Sequence, residues 1–170
     1  MLNNKVTEAL NSQINKEIYS AYLYLAMSAY SESKGLKGFA NWLYVQYQEE
    51  TTHAMKIYNY ILEQGDMVEL RAVEKPPKEF GTPLEMFEQV LAHEQMVTRS
   101  INELVDLAIK EKDHATQIML QWFVTEQIEE EANDNEIIDQ LKLAGKEGGA
   151  LFMIDKELAT RVFVDETQQE

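Results

Sequence analysis

Apolar side chains recur every three or four residues along almost the whole chain, the period at which one face of an α-helix is buried. The first stripe runs from about residue 3 to 33 through Val6, Leu10, Gln13, Glu17, Ala21, Tyr24 and Ser28. The SESKG stretch ending at Gly35 stops it. A second runs from about 36 to 64 through Phe39, Leu43, Gln46, Glu50, His53, Ile57 and Ile61, with Gly65 at its end. Residues 65–82 hold two of the three prolines; Pro76 and Pro77 lack N–H groups and restrict their neighbours, so no helix crosses this segment. Thr82, Pro83 and Glu85 then supply an N-cap, a proline at the first helical position and the acid of a capping box. The third helix follows over about 83–112, aligning Phe87, Leu91, Glu94, Val97, Ile101, Val105 and Ala108. Asp113 caps a fourth over about 113–143, with Leu120, Phe123, Gln127, Glu130, Asp134, Ile137 and Leu141 on one face. Gly145, Gly148 and Gly149 break it, and the apolar residues of 150–164 predict a short fifth helix.

Four helices of about 29 residues are each roughly 43 Å long. Short connections make the first and second, and the third and fourth, antiparallel hairpins. The link over 65–82 can reach about 59 Å when extended, enough to run the length of the bundle and leave helices two and three parallel. The predicted fold is all-α, a single domain over 1–170: a four-helix bundle with one long crossover and a short fifth C-terminal helix. At 170 residues one core of useful size is possible. Acids outnumber Lys and Arg by 30 to 15, and the net charge of −15 repels nucleic acid and anionic membranes while drawing in cations. The absence of cysteine excludes disulfides, thiolate zinc sites and cysteine nucleophiles, and fits a reducing compartment. With no signal-like or membrane-spanning apolar run, the expected location is cytoplasmic.

Each long stripe is apolar at both ends and carries acid near its middle. Glu17 lies near the centre of the first helix, Glu50 and His53 of the second, Glu94 of the third, and Gln127 with Glu130 of the fourth. In a bundle of this connectivity the midpoints share one level, so four carboxylates and an imidazole converge in a dry cross-section. An uncompensated buried carboxylate costs many kcal/mol and protonates or finds a partner. The nearest bases, Lys16, Lys56 and Arg99, fall off the stripes. A pair of divalent cations neutralises the acids directly. Oxygen donors with one imidazole and no sulfur suit iron or manganese. Glu50 and His53 form Glu-x-x-His, whose spacing places both groups on one helical face.

With NKEIYSAYLYLAM, QEETTHAMK, AHEQ and TEQIEEEAND carrying these residues, the chain resembles the ferritins over its whole length, and the haem-free bacterial ferritins in particular. The resemblance implies that Glu17, Glu50 and His53 hold one iron and Glu50, Glu94 and Glu130 a second, with Glu50 bridging and Gln127 beside the pair. Glu49, Glu126, Glu129 and Glu130 resemble the third iron site of the bacterial members. It further implies a ferroxidase that oxidises Fe(II) with dioxygen or hydrogen peroxide and stores the ferric product inside a homo-oligomeric cage of twenty-four subunits. Tyr24, one heptad after Glu17, lies on the same face, where a phenol can give a hydrogen bond or an electron to the site.

Departures from related families narrow the resemblance. Asn133 and Ala132 stand where bacterioferritins carry a second Glu-x-x-His, and their haem-ligating Met falls at Thr51 or Thr52, so no haem is expected. Rubrerythrins need cysteines, and DNA-protecting mini-ferritins lack the fifth helix. Gln117 and Leu120 replace the pore acids of animal ferritins. Trp122 reads as packing, and His93 and His114 as surface residues. Leu151, Phe152, Ile154, Leu158, Val162 and Phe163 would form a large exposed apolar patch on a monomer, so the last segment is expected to build the cage.

Overall fold

The computed structural model describes residues 2–145, 148–165 and 167. It contains α1 (Asn4–Ser33), α2 (Lys37–Glu63), α3 (Pro83–Lys110), α4 (His114–Ala144) and α5 (Gly148–Leu158), with no strand among the described residues. Among the described residues no helix is long and apolar enough to cross a membrane. Local signals account for most helix starts. The Asn3 side chain accepts the Lys5 N–H at 2.9 Å, and Asp113 accepts that of Thr116 at 3.0 Å. Thr82 and Glu85 close the capping box in both directions.

The crossover runs beside α1 in the same direction. Asp66 pairs with Thr7, Glu69 with Asn11, Arg71 and Ala72 with Asn15, and Gly81 with Tyr30. Because α2 runs back along α1, this strap returns the chain to the far end, and α3 starts parallel to α2. The 15 residue-to-residue steps from Asp66 to Gly81 extend to about 50 Å, more than the roughly 35 Å of α1 they accompany.

Helix α2 follows Leu36 at its N-cap position, whose side chain can give no cap. Its cap comes from α5: Asp155 Oδ1 accepts the N–H groups of Gly38 at 2.7 Å and Phe39 at 3.1 Å. Asn41 in turn donates to the carbonyls of Leu158 at 3.2 Å and Arg161 at 3.0 Å. These bonds end α5 at Leu158, six residues before the expected limit of 164. At its other end Gly148 and Gly149 lie inside α5, so they do not precede it as a breaker; Gly145, at φ 58°, makes the turn.

The expected apolar patch is also divided. Ile154 and Leu158 are buried against this chain's own bundle, whereas Phe152, Met153, Val162 and Val164 are exposed. Gly38 permits the docking, because a Cβ there would lie 1.6 Å from the Asp155 carbonyl oxygen. Gly38→Ala is therefore expected to displace α5 and cost at least about 2 kcal/mol, the lower end for losing buried Leu- or Ile-sized contacts. Hydrogen exchange checks this: amides of α5 should lose protection, and unchanged protection would contradict it.

The interior is two apolar cores with a polar belt between them. One core packs Leu23, Met27, Phe39, Leu43, Phe87 and Leu141 among others, and includes Ile154 and Leu158 of α5. The other packs Leu10, Ile14, Ile57, Ile101, Leu120 and Phe123 among others. The belt consists of the polar stripe positions, all of them buried.

Candidate metal centre

Four helices each deliver an acid to the belt. Glu17, Glu50, Glu94 and Glu130 are at most 3% exposed. Glu17, Glu50 and His53 each offer a ligand atom, all within 4.8 Å of one another; His53, Glu126 and Glu130 do the same. His53 joins the two groups. Its Nδ1 lies 3.6 Å from Glu50 Oε2 and its Nε2 lies 3.8 Å from Glu126 Oε1. Edge-on contacts with Trp122 and Phe123, at centroid distances of 5.3 and 6.1 Å, fix the ring.

Glu94 belongs to neither close group. It is held by the Tyr24 hydroxyl and by the Gln127 amide, 3.1 Å from Oε2, while its charge still acts on Glu50 and Glu130. Glu49 is partly buried and lies near Glu130, outside both groups. Glu129 is exposed and also lies outside them.

Amides steady the acids from behind. Gln13 donates to Glu17 Oε1 at 2.7 Å, and Gln46 donates to Glu130 Oε2 at 2.8 Å. Glu17 Oε2 and Glu50 Oε2 are buried without a hydrogen bond. In Glu17 an amide on one oxygen and none on the other leaves a lone-pair face for a cation. Gln13 and Gln46 stand on the sequence stripes, but periodicity gives no way to tell a supporting amide from a core polar residue.

Burial dominates the electrostatics. It raises Glu17 to about 7 and pushes Glu50 and Glu130 well above the usual carboxylate range, helped by repulsion among the acids; Glu94 rises for the same first cause. His53 is lowered to about 4 by burial and by Lys56, so its imidazole is neutral at pH 7 and keeps a lone pair for a metal. Asp134, one turn beyond Glu130, is fully buried with both oxygens unpartnered and is raised to about 8, by burial first and then by Glu94. At neutral pH it is a protonated acid.

Expectation and structure part at His93. It is buried rather than on the surface, bonded to Ser20 Oγ at 2.8 Å and in contact with the rings of Tyr19 and Tyr24, because the position beside Glu94 faces α1. Arg161 is the other residue that the periodicity does not disclose. It lies after α5, yet reaches Gln46 at 2.8 Å and Glu49 at 2.5 Å.

These shifts set a pH dependence for the metal-free protein. Between their unfolded values near 4 and their higher folded values, Glu17, Glu50, Glu94, Glu130 and Asp134 bind more protons folded than unfolded, so stability falls as pH rises through that window. His53 and His93, lowered to about 4, act oppositely between pH 4 and 6.5. Five acids outweigh two histidines, and above pH 6.5 they act alone. Thermal unfolding of metal-free protein should therefore occur at lower temperature at pH 8 than at pH 6.5. A divalent cation that displaces the protons should reverse the trend, and a metal-free protein more stable at pH 8 would contradict the assignment.

The ferritin-like domain family model matches residues 7–144. A bacterial non-heme ferritin of Bacteroides fragilis is 44% identical over 161 residues, covering 95% of this chain and all of that one. One from Staphylococcus aureus is 43% identical over 166 residues, covering 98% of this chain and all of that one. The open-pore ferritin of Archaeoglobus fulgidus superposes with a TM-score of 0.94 at 53% identity, over 95% of this chain and all of that one. A form of that ferritin engineered to be closed gives 0.95 at the same identity, over 96% of this chain and all of that one. A bundle whose two cores are parted by a belt of buried acids and one neutral imidazole thus has near-full-length likenesses among ferritins of two domains of life, and the chain belongs to the ferritin family.

Proposed function

We propose that the chain is the subunit of an iron-storing cage that oxidises Fe(II) at the buried centre and passes Fe(III) to the enclosed space. The observation that carries the reading is the pairing of Glu17, Glu50 and neutral His53 around unpartnered carboxylate oxygens, with Glu94 and Glu130 coupled to Glu50. Iron is the substrate. Glu17, Glu50 and His53 hold one Fe(II); Glu50, Glu94 and Glu130 hold the other. Binding displaces the protons that burial keeps on these acids.

Each Fe(II) gives up one electron. Dioxygen accepts two electrons and two protons to become hydrogen peroxide; with peroxide as oxidant, the O–O bond breaks and two waters form. The acids stabilise Fe(III) more than Fe(II) because they place fixed negative charge in a medium of low dielectric. Tyr24 donates to Glu94, which leaves the second carboxylate oxygen, steadied by Gln127, to turn toward the metal. Glu126, with Glu49 and Glu129 turned toward it, would supply a third position.

The cage is supported by the surface. Tyr22, Met67, Leu70, Ile118, Ile128, Leu143, Phe152 and Met153 are all at least 47% exposed, an apolar load that subunit contacts relieve. The cysteine-free chain suits the cytoplasm.

Anaerobic titration of the metal-free protein with Fe(II), followed by air, tests the reading. Saturation at two Fe(II) per subunit and a fast ferric absorbance rise are expected. Oxidation no faster than in protein-free buffer would overturn it.

A further inference from the structure

Arg161 comes from the segment beyond α5 and is pinned on three sides. Its guanidinium stacks 4.3 Å above the Trp42 ring, Nη1 donates to Gln46 Oε1 at 2.8 Å, and Nη2 donates to Glu49 Oε2 at 2.5 Å. Its backbone carbonyl accepts from Asn41 at 3.0 Å. Only about a fifth of the side chain is exposed. The Gln46 amide then donates to Glu130 Oε2 at 2.8 Å. A guanidinium has donors and no acceptor, so it fixes the Gln46 amide with its oxygen outward and its nitrogen on Glu130.

Glu49, Glu130 and Glu126 come from two adjacent helices, yet only Glu126 and Glu130 share a close ligand group with His53. Glu49 is the acid that stays out, and it is the one the guanidinium holds. A charge-assisted, partly buried bond of this kind is among the stronger polar contacts. The stacking on Trp42 and the bond to Gln46 prevent Arg161 from following Glu49 inward. The Glu49 oxygen that the guanidinium holds can reach a metal only by leaving Arg161.

We propose that Arg161 is a built-in counter-ion that holds Glu49 out of the metal centre and yields it to a third divalent cation. This rests on the two-metal reading above and deepens it. The order of filling follows from the contacts. The first two ions meet acids that no Lys or Arg bonds directly, and the third must displace a guanidinium from Glu49. The third position is thereby kept weak. An ion held there leaves readily, and Arg161 returns to neutralise Glu49.

Zinc, which undergoes no redox change, separates this from oxidation kinetics. Calorimetric titration of the assembled, metal-free protein with Zn(II) should show two tight ions per subunit and a weaker third. Arg161→Gln should tighten the third by about tenfold or more, the scale of losing one charge-assisted competitor, and leave the ion held by Glu17, Glu50 and His53, none of which Arg161 or Gln46 bonds, within a few-fold. Arg161→Lys keeps the charge but has one head group for two acceptors, so it should tighten the third by less. Adding Glu49→Gln to Arg161→Gln should remove the third ion. Should Arg161→Gln fail to assemble, the lysine variant carries the test alone. Two tight ions with a third unmoved by both Arg161 variants would overturn the proposal and spare the two-metal reading. A parent protein that binds no tight pair would overturn both.

Discussion

Glu50→Ala is expected to slow Fe(II) oxidation by more than about a hundredfold, beyond the loss seen when only a ligand's supporting partner is removed. Glu50 is the one acid near the midpoint of the belt: it groups with Glu17 and His53 and is repelled by Glu94 and Glu130. Removing it leaves neither metal with its geometry. The same change should make the metal-free protein more stable at pH 8, because it deletes a buried acid crowded by three others. Lost oxidation with gained stability separates a ligand from a structural residue. His53→Ala should damage mainly the site shared with Glu17. Parent-rate oxidation by both variants would contradict the centre.

Truncation after Lys146 is expected to abolish the closed shell while sparing fast oxidation, since Glu17, Glu50, His53, Glu94 and Glu130 all lie on α1 to α4. The bundle will not be untouched. Loss of Ile154 and Leu158 from one core, and of the Asp155 carboxylate from the start of α2, should cost several kcal/mol, about 2–5 for each large apolar side chain removed. Circular dichroism should still report a helical protein, light scattering a small particle, and iron a retention no greater than the centres bind. An intact shell after truncation would contradict the role given to α5.

How much of this could be read from the chain depends on whether a feature is periodic. Four stripes of period 3.6 with acid at their midpoints give the bundle and the belt together, because the positions that bury a helix also aim its polar residues inward. The crossover was legible from Pro76, Pro77 and the Thr82 start signal, and its course beside α1 follows from asparagines at 11 and 15 that accept and donate to its backbone. Contacts between distant segments left no periodic trace. The cap that Asp155 gives α2, the early end of α5 and the reach of Arg161 to Glu49 each join residues more than 110 positions apart. His93 misled for a related reason: it neighbours a stripe residue in sequence, and its burial depends on which helix α3 meets on that side. Asp134 stood on the fourth stripe, but nothing in one sequence distinguishes an acid that holds a metal from one that stays protonated.

Loading the full-length protein with successive additions of Fe(II) in air, then separating it by size, tests iron storage most directly. The account predicts that iron far in excess of two per subunit travels with a particle many times the 19.7 kDa chain mass. A monomer or simple dimer carrying no more than its bound pair would contradict it.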